Sequence, residues 1–122
     1  MKTKIAELKY IAPEKIFLGN GSDEPIDIIF RAFCEPGIDN MVTIEPTYGM
    51  YQVAADINNV EVRKVKLNDD FGFSAQKLLD AANFYTKVIF VCSPNNPTAN
   101  LLDKSEILKL ITGFDSLVVV DE

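Results

Sequence analysis

Val88-Ile89-Phe90-Val91-Cys92-Ser93-Pro94-Asn95-Asn96-Pro97-Thr98 passes directly from an apolar run to a polar one punctuated by prolines. The first half is short, rich in β-branched side chains and free of polar alternation, the pattern of a strand covered on both faces. Leu117-Val118-Val119-Val120 ends in the same way on Asp121-Glu122. Two such runs predict parallel strands that present a site at their carboxyl ends, where open α/β sheets take their ligands.

Working outward, helices and strands alternate. Helical spacing covers Met1 to about Tyr10, with Pro13 closing that stretch. Lys15-Ile16-Phe17-Leu18 reads as a short strand that runs into Gly19-Asn20-Gly21. Ser22 is placed to cap a helix with Asp23 and Glu24 in its first turn and Ile26, Ile29, Phe30 and Phe33 on its buried face. Met41–Glu45 is the next strand, followed by a helix from about Tyr48 to Ile57. A strand over Val60–Leu67, a helix capped by Ser74, the strand Lys87–Cys92, a helix capped by Asp103 and the strand Leu117–Val120 complete the series. Strands separated by helices of about ten residues predict βαβ units. The expected fold is α/β in three layers: a mostly parallel sheet with helices on both faces.

Composition narrows the function. The 122 residues suffice for one domain with one core. The net charge is −6 and the basic residues are scattered, so no stripe exists to neutralise nucleic-acid phosphates. No apolar stretch approaches the length of a membrane span, and the first residues lack the apolar core of a signal peptide. A cytoplasmic protein is the expectation. The chain has no histidine, which removes Ser-His-Asp and Cys-His machinery and most zinc sites from its repertoire. No metal ligand set is expected. Cys34 and Cys92 lie in apolar surroundings and read as small buried hydrophobes.

Four places carry candidate chemistry. Gly19-Asn20-Gly21-Ser22-Asp23-Glu24 joins a strand to a helix, and first-turn amides with the helix dipole suit a phosphate; an ordinary turn with a capping serine has the same pattern. Tyr48 follows Pro46-Thr47 at a strand end, where its ring can lie on a planar ligand or pack on its helix. Tyr51, three residues on, reads as helix packing. Asn96, between Asn95 and Pro97, offers a donor and an acceptor from a stiffened loop. Asp121 closes a Leu-Val strand, where a cationic partner would keep it ionised, or where it simply faces water.

In this order, GNGSDE at 19–24, EPTYGMY at 45–51, SPNNPTAN at 93–100 and VVVDE at 118–122 resemble the large domain of fold-type I, pyridoxal-phosphate-dependent aminotransferases. The resemblance covers essentially the whole chain, and its last three strings are the specific ones. It implies that Ser22, Asp23 and Glu24 hold the phosphate of pyridoxal 5'-phosphate, chiefly through main-chain N–H groups. It further implies that Tyr48 stacks on the pyridine ring, Asn96 bonds the ring's phenolic oxygen and Asp121 pairs with the pyridinium nitrogen. The implied reaction moves an amino group from a small-molecule amino donor, an amino acid or amino phosphate ester, to a 2-oxo acid. The implied parent is a homodimer.

Two departures accompany the resemblance. Ala99 stands where the family usually has glycine after Asn-Pro-Thr; a positive φ there would cost alanine about 1 kcal/mol. No lysine in the chain matches the motif of the Schiff-base lysine, which is expected beyond Glu122. Residues 1–122 are therefore expected to be a partial cofactor-binding large domain without the N-terminal arm, the Schiff-base lysine segment or the small domain, and inactive alone. Two other readings share the pattern: a related fold-type I decarboxylase or carbon–sulfur lyase, and a stand-alone α/β module that binds a phosphate ligand. An aromatic soon after Asp-Glu and then a Ser-x-x-Lys string would mark the enzyme.

Overall fold

A computed structural model describes residues 1–122. Four strands, β1 (Asn40–Glu45), β2 (Glu61–Lys66), β3 (Thr86–Cys92) and β4 (Leu117–Asp121), form one parallel sheet in the order β2-β1-β3-β4. Five helices accompany them: α1 (Lys2–Lys9), α2 (Asp23–Phe33), α3 (Met50–Ile57), α4 (Ala75–Ala81) and α5 (Lys104–Gly113).

Side chains alternate across the sheet and divide the core in two. On one face Met41, Val88, Phe90 and Cys92 pack against Ile26 and Phe30 of α2 and Tyr51, Ala54 and Ala55 of α3. On the other, Val42, Ile44, Ile89 and Val91 meet Ala75 and Leu78 of α4 and Leu110 of α5. The expected three-layer α/β fold is present. β1 and β3 are buried along nearly their whole length, as their continuous apolar runs require. The polar exceptions pair within the sheet: the Thr43 hydroxyl donates to the Phe90 carbonyl at 2.9 Å and the Thr86 hydroxyl to Asn40 Oδ1 at 2.6 Å.

The chain leaves β1 toward β2 through α3 and leaves β3 toward β4 through α5, on the opposite face. Right-handed crossovers running in opposite directions must place their helices on opposite faces. The carboxyl ends of β1 and β3 are thus the point where the winding reverses, the usual ligand crevice of such sheets.

Local expectations meet three corrections. Lys15–Leu18 is not a strand: Pro13–Lys15 forms a 3-10 turn and the residues after it pair with nothing, leaving Phe17 and Leu18 exposed. An apolar tetrapeptide without a neighbouring strand has no ladder to join. Tyr48 precedes α3, whose N-cap is Gly49. Ser22 and Ser74 occupy N-cap positions, yet neither side chain makes a cap bond, whereas the Asp103 carboxylate accepts from Ser105 N–H at 2.8 Å as expected.

Cys34 and Cys92 are buried and free. Burial, with the charge of Asp39 nearby, pushes the Cys34 thiol up to about 11, so it stays neutral and unreactive at physiological pH. No helix is long and apolar enough to cross a membrane.

Candidate functional site

Three segments converge on the carboxyl edge of the sheet: the turn after β1, the loop after β3 and the end of β4. The start of α2 joins them. Their mutual arrangement follows from a few side-chain contacts.

At α2, the Ser22 backbone is helical already (φ −81°, ψ −24°), and the residue three positions on is Pro25, which has no N–H to offer. The serine hydroxyl is thereby spared from capping. Gly21 turns the chain into the helix at φ +73°, a conformation that favours glycine. The Glu24 carboxylate folds back to accept from Asn20 N–H at 2.5 Å. The first backbone bond of the helix runs from Ile26 N–H to the Ser22 carbonyl at 3.1 Å, and the N–H groups of Asp23 and Glu24 meet no acceptor. The sequence reading assigned these amides, rather than the carboxylates, to an anion. In the structure they are free of protein acceptors.

After β1, Tyr48 is half-buried and its hydroxyl donates to Asp23 Oδ1 at 3.0 Å. That bond is the leading cause of the upward shift of its phenol, with partial burial second. The Tyr48 and Tyr51 rings meet edge to face, centroids 5.6 Å apart at 86°. Tyr51 in turn stacks on Phe90 at 4.7 Å, is 1% exposed, and donates its hydroxyl to Asp121 Oδ2 at 2.6 Å. Burial first, then the Asp121 bond, drives the Tyr51 phenol far above its ordinary range, so it is a permanent donor. A continuous series of contacts therefore runs Asp23, Tyr48, Tyr51, Asp121.

After β3, the two asparagines divide. Asn95, 2% exposed, donates from Nδ2 to the Pro46 carbonyl at 2.9 Å and to Thr98 Oγ1 at 2.8 Å, and accepts from the Thr47 hydroxyl at 2.9 Å. It stitches the β3 loop to the β1 turn. Asn96 is exposed, and its side chain bonds to nothing in the protein. The peptide bonds before Pro46, Pro94 and Pro97 are cis. Ala99 adopts φ 62° while its N–H donates to the Asn95 carbonyl at 2.6 Å, so the positive φ envisaged from the sequence is real.

Asp121 lies opposite Cys92 in the β3–β4 register, with Ser93 N–H donating to its carbonyl at 2.9 Å. Tyr51 occupies Oδ2, and Oδ1 has no protein partner. The structure thus brings Asp23, Tyr48 and Asp121 into one contact network, sets Ser22 and Glu24 at its helix end, and leaves Asn96 on a loop anchored through Asn95. The sequence reading passed over two members. Tyr51 was placed as packing alone, although its spacing of three from Tyr48 signalled a second phenol at the same edge. Asn95 gave no signal that distinguished it from Asn96.

A cleft of about 230 Å³ opens beside this network between Tyr48, Gln52, Val62 and Lys64, but neither Asn96 nor Asp121 lines it. The candidate residues occupy an open edge and not an enclosed cavity.

The family model for aminotransferase class I and II matches residues 1–122. The chain is 62% identical to the histidinol-phosphate aminotransferase of Bacteroides fragilis and 61% identical to that of Bacteroides thetaiotaomicron, in each case over all 122 residues. It spans 35% of the length of both relatives. A solved aspartate aminotransferase variant from Thermus thermophilus shares its fold with a TM-score of 0.90 at 23% identity, over 99% of this chain and 36% of that one. The chain belongs to the class I and II aminotransferase family.

Proposed function

We propose that this chain is the cofactor-binding part of a histidinol-phosphate aminotransferase, which transfers the amino group of histidinol phosphate to 2-oxoglutarate in histidine biosynthesis. The observation that carries the reading is the convergence of unspent polar groups on one sheet edge. They are the Asp23 and Glu24 amides and Asp121 Oδ1, joined through Tyr48 and Tyr51, and the Asn96 side chain on the loop that Asn95 anchors. Identity of 62% across the whole chain to a relative of that name supports the substrate.

The donor set suits pyridoxal 5'-phosphate. The ligand has an anionic phosphate, a phenolic oxygen, a basic ring nitrogen and a flat face. The chain offers helix-start amides with the Ser22 hydroxyl, an unbonded amide, a carboxylate oxygen and an aromatic edge. When bound, this cofactor supplies an electron sink for the carbanion formed at the substrate's α-carbon. Ser22 and the Asp23 and Glu24 amides would bind the phosphate, Tyr48 would orient the ring, Asn96 would meet the phenolic oxygen and Asp121 would hold a proton on the ring nitrogen. The lysine that binds the cofactor, the N-terminal arm and the small domain belong, under this reading, to sequence outside 1–122. A homodimer, as is general in the family, would complete the site.

The test is the full-length protein assayed with histidinol phosphate and 2-oxoglutarate, as wild type and as Asp121→Asn. A neutral amide cannot keep the ring nitrogen protonated, and losing ~3 kcal/mol of transition-state stabilisation lowers the rate over a hundredfold. Single-turnover rates within a few-fold of wild type would remove Asp121 from the site. No amino transfer between histidinol phosphate and 2-oxoglutarate, together with decarboxylation of an amino acid or carbon–sulfur cleavage of a sulfur-containing amino acid offered in its place, would replace the reaction.

A further inference from the structure

Tyr51 stands apart from the residues assigned above. It lies beneath the edge, not on it, and a packing role would need only its ring. Its ring is fixed on three sides: Phe90 stacks at 4.7 Å with an interplanar angle of 26°, Tyr48 abuts edge-on, and the surrounding α3 and sheet side chains bury it to 1%. A phenol held this firmly delivers its hydroxyl to one place, and that place is Asp121 Oδ2, at 2.6 Å.

The acid needs such a tether. Asp121 closes β4, which pairs with β3, and every residue of that strand is half-buried. Backbone pairing fixes the Asp121 main chain through Ser93 N–H, but leaves its side-chain rotation free. One donor on Oδ2 fixes that rotation and leaves Oδ1 as the oxygen without a protein partner.

We propose that Tyr51 is a positioning residue for the ring-nitrogen contact: its hydroxyl sets the rotation of Asp121 so that Oδ1 can meet the pyridine nitrogen and its proton. The inference rests on the cofactor reading of Asp121 given above. It adds a group that touches neither cofactor nor substrate and acts through the acid alone. Tyr51→Phe removes only the oxygen and keeps the ring stacked on Phe90.

The experiment is a double-mutant cycle in the full-length protein, reading the dissociation constant of the apoenzyme for pyridoxal 5'-phosphate in wild type, Tyr51→Phe, Asp121→Ala and the double variant. Tyr51→Phe should weaken the wild type about tenfold, the order of a charge-assisted hydrogen bond, and should change the Asp121→Ala protein less than about twofold. Equal weakening in both backgrounds would overturn the inference, since a packing role does not depend on the acid. So would no weakening in the wild type. If Asp121→Ala itself binds the cofactor normally, the cofactor reading fails and takes the inference with it, an outcome distinct from the other two. A second measurement needs no Asp121 variant: the nitrogen-15 resonance of ring-labelled cofactor in the Tyr51→Phe holoenzyme should move from its wild-type position toward that of the unprotonated ring. An unmoved resonance would overturn the inference.

Discussion

Ala99 and Ser22 show how single residues can be strained or spared. Ala99 holds φ 62° on an exposed loop, where its Cβ crowds its own carbonyl. The left-handed penalty of about 1–2 kcal/mol exceeds the ~0.4–1 kcal/mol that glycine loses through a more flexible unfolded chain. Ala99→Gly should therefore raise stability by about 0.5–1 kcal/mol, read from the denaturation midpoint at unchanged slope. This position was legible in the sequence only through the family pattern, since nothing in the local composition demands a positive φ. Ser22 is the reverse case. Its sequence signature as a cap was strong, but Pro25 removes the amide it would serve and the hydroxyl caps nothing. Ser22→Ala should accordingly leave the melting temperature of the apoprotein nearly unchanged, within about 0.5 kcal/mol. Under the proposed phosphate role of the Ser22 hydroxyl, it should weaken pyridoxal 5'-phosphate more than pyridoxal in parallel titrations. Equal weakening of both ligands would detach Ser22 from the phosphate.

Among the elements, α4 is held by a cap that no local sequence could announce. Its N-cap Ser74 makes no side-chain bond; instead Glu106 of α5 accepts from Ala75 N–H at 2.8 Å through Oε2 and from Lys109 at 2.7 Å through Oε1. The Lys109 bond, followed by the Ala75 amide, holds the Glu106 carboxyl below its ordinary value of 4.5. A lowered folded-state value means that the native chain binds fewer protons than the unfolded one between the two values. The stabilisation is then complete above about 4.5 and fades as pH falls through the lowered value. Glu106→Ala should lower the melting temperature at pH 7, and the gap to wild type should narrow below pH 4.5 on a series of melts. The boundaries of the strands and of α2, α4 and α5 were readable from periodicity, because each buries one continuous face. The Lys15–Leu18 strand was misread for the same reason in reverse: composition suits a strand, but pairing is a property of the neighbour.

For the whole molecule, the layered fold was plain in the sequence, and the site only in pieces. The alternation of short apolar runs with helices fixes a parallel sheet and the edge that bears its polar ends. The link from Tyr51 to Asp121 spans seventy positions and depends on the β3–β4 register and the seating of α3, so no local pattern encodes it. Segment 1–122 produced alone should neither transfer amino groups nor acquire a single stoichiometric lysine adduct when treated with pyridoxal 5'-phosphate and borohydride. Peptide mapping by mass spectrometry checks this, and one fully labelled lysine with turnover would refute it. The sheet order also sets a clock. β1 and β3 are laddered on both sides, while β4, which carries Asp121, is laddered on one. Amides on a one-sided strand open to solvent through smaller fluctuations than those in the middle of a sheet. In segment 1–122 deuterium should thus enter Leu117–Asp121 well before Thr86–Cys92, so within that segment the strand bearing Asp121 breathes before its neighbour.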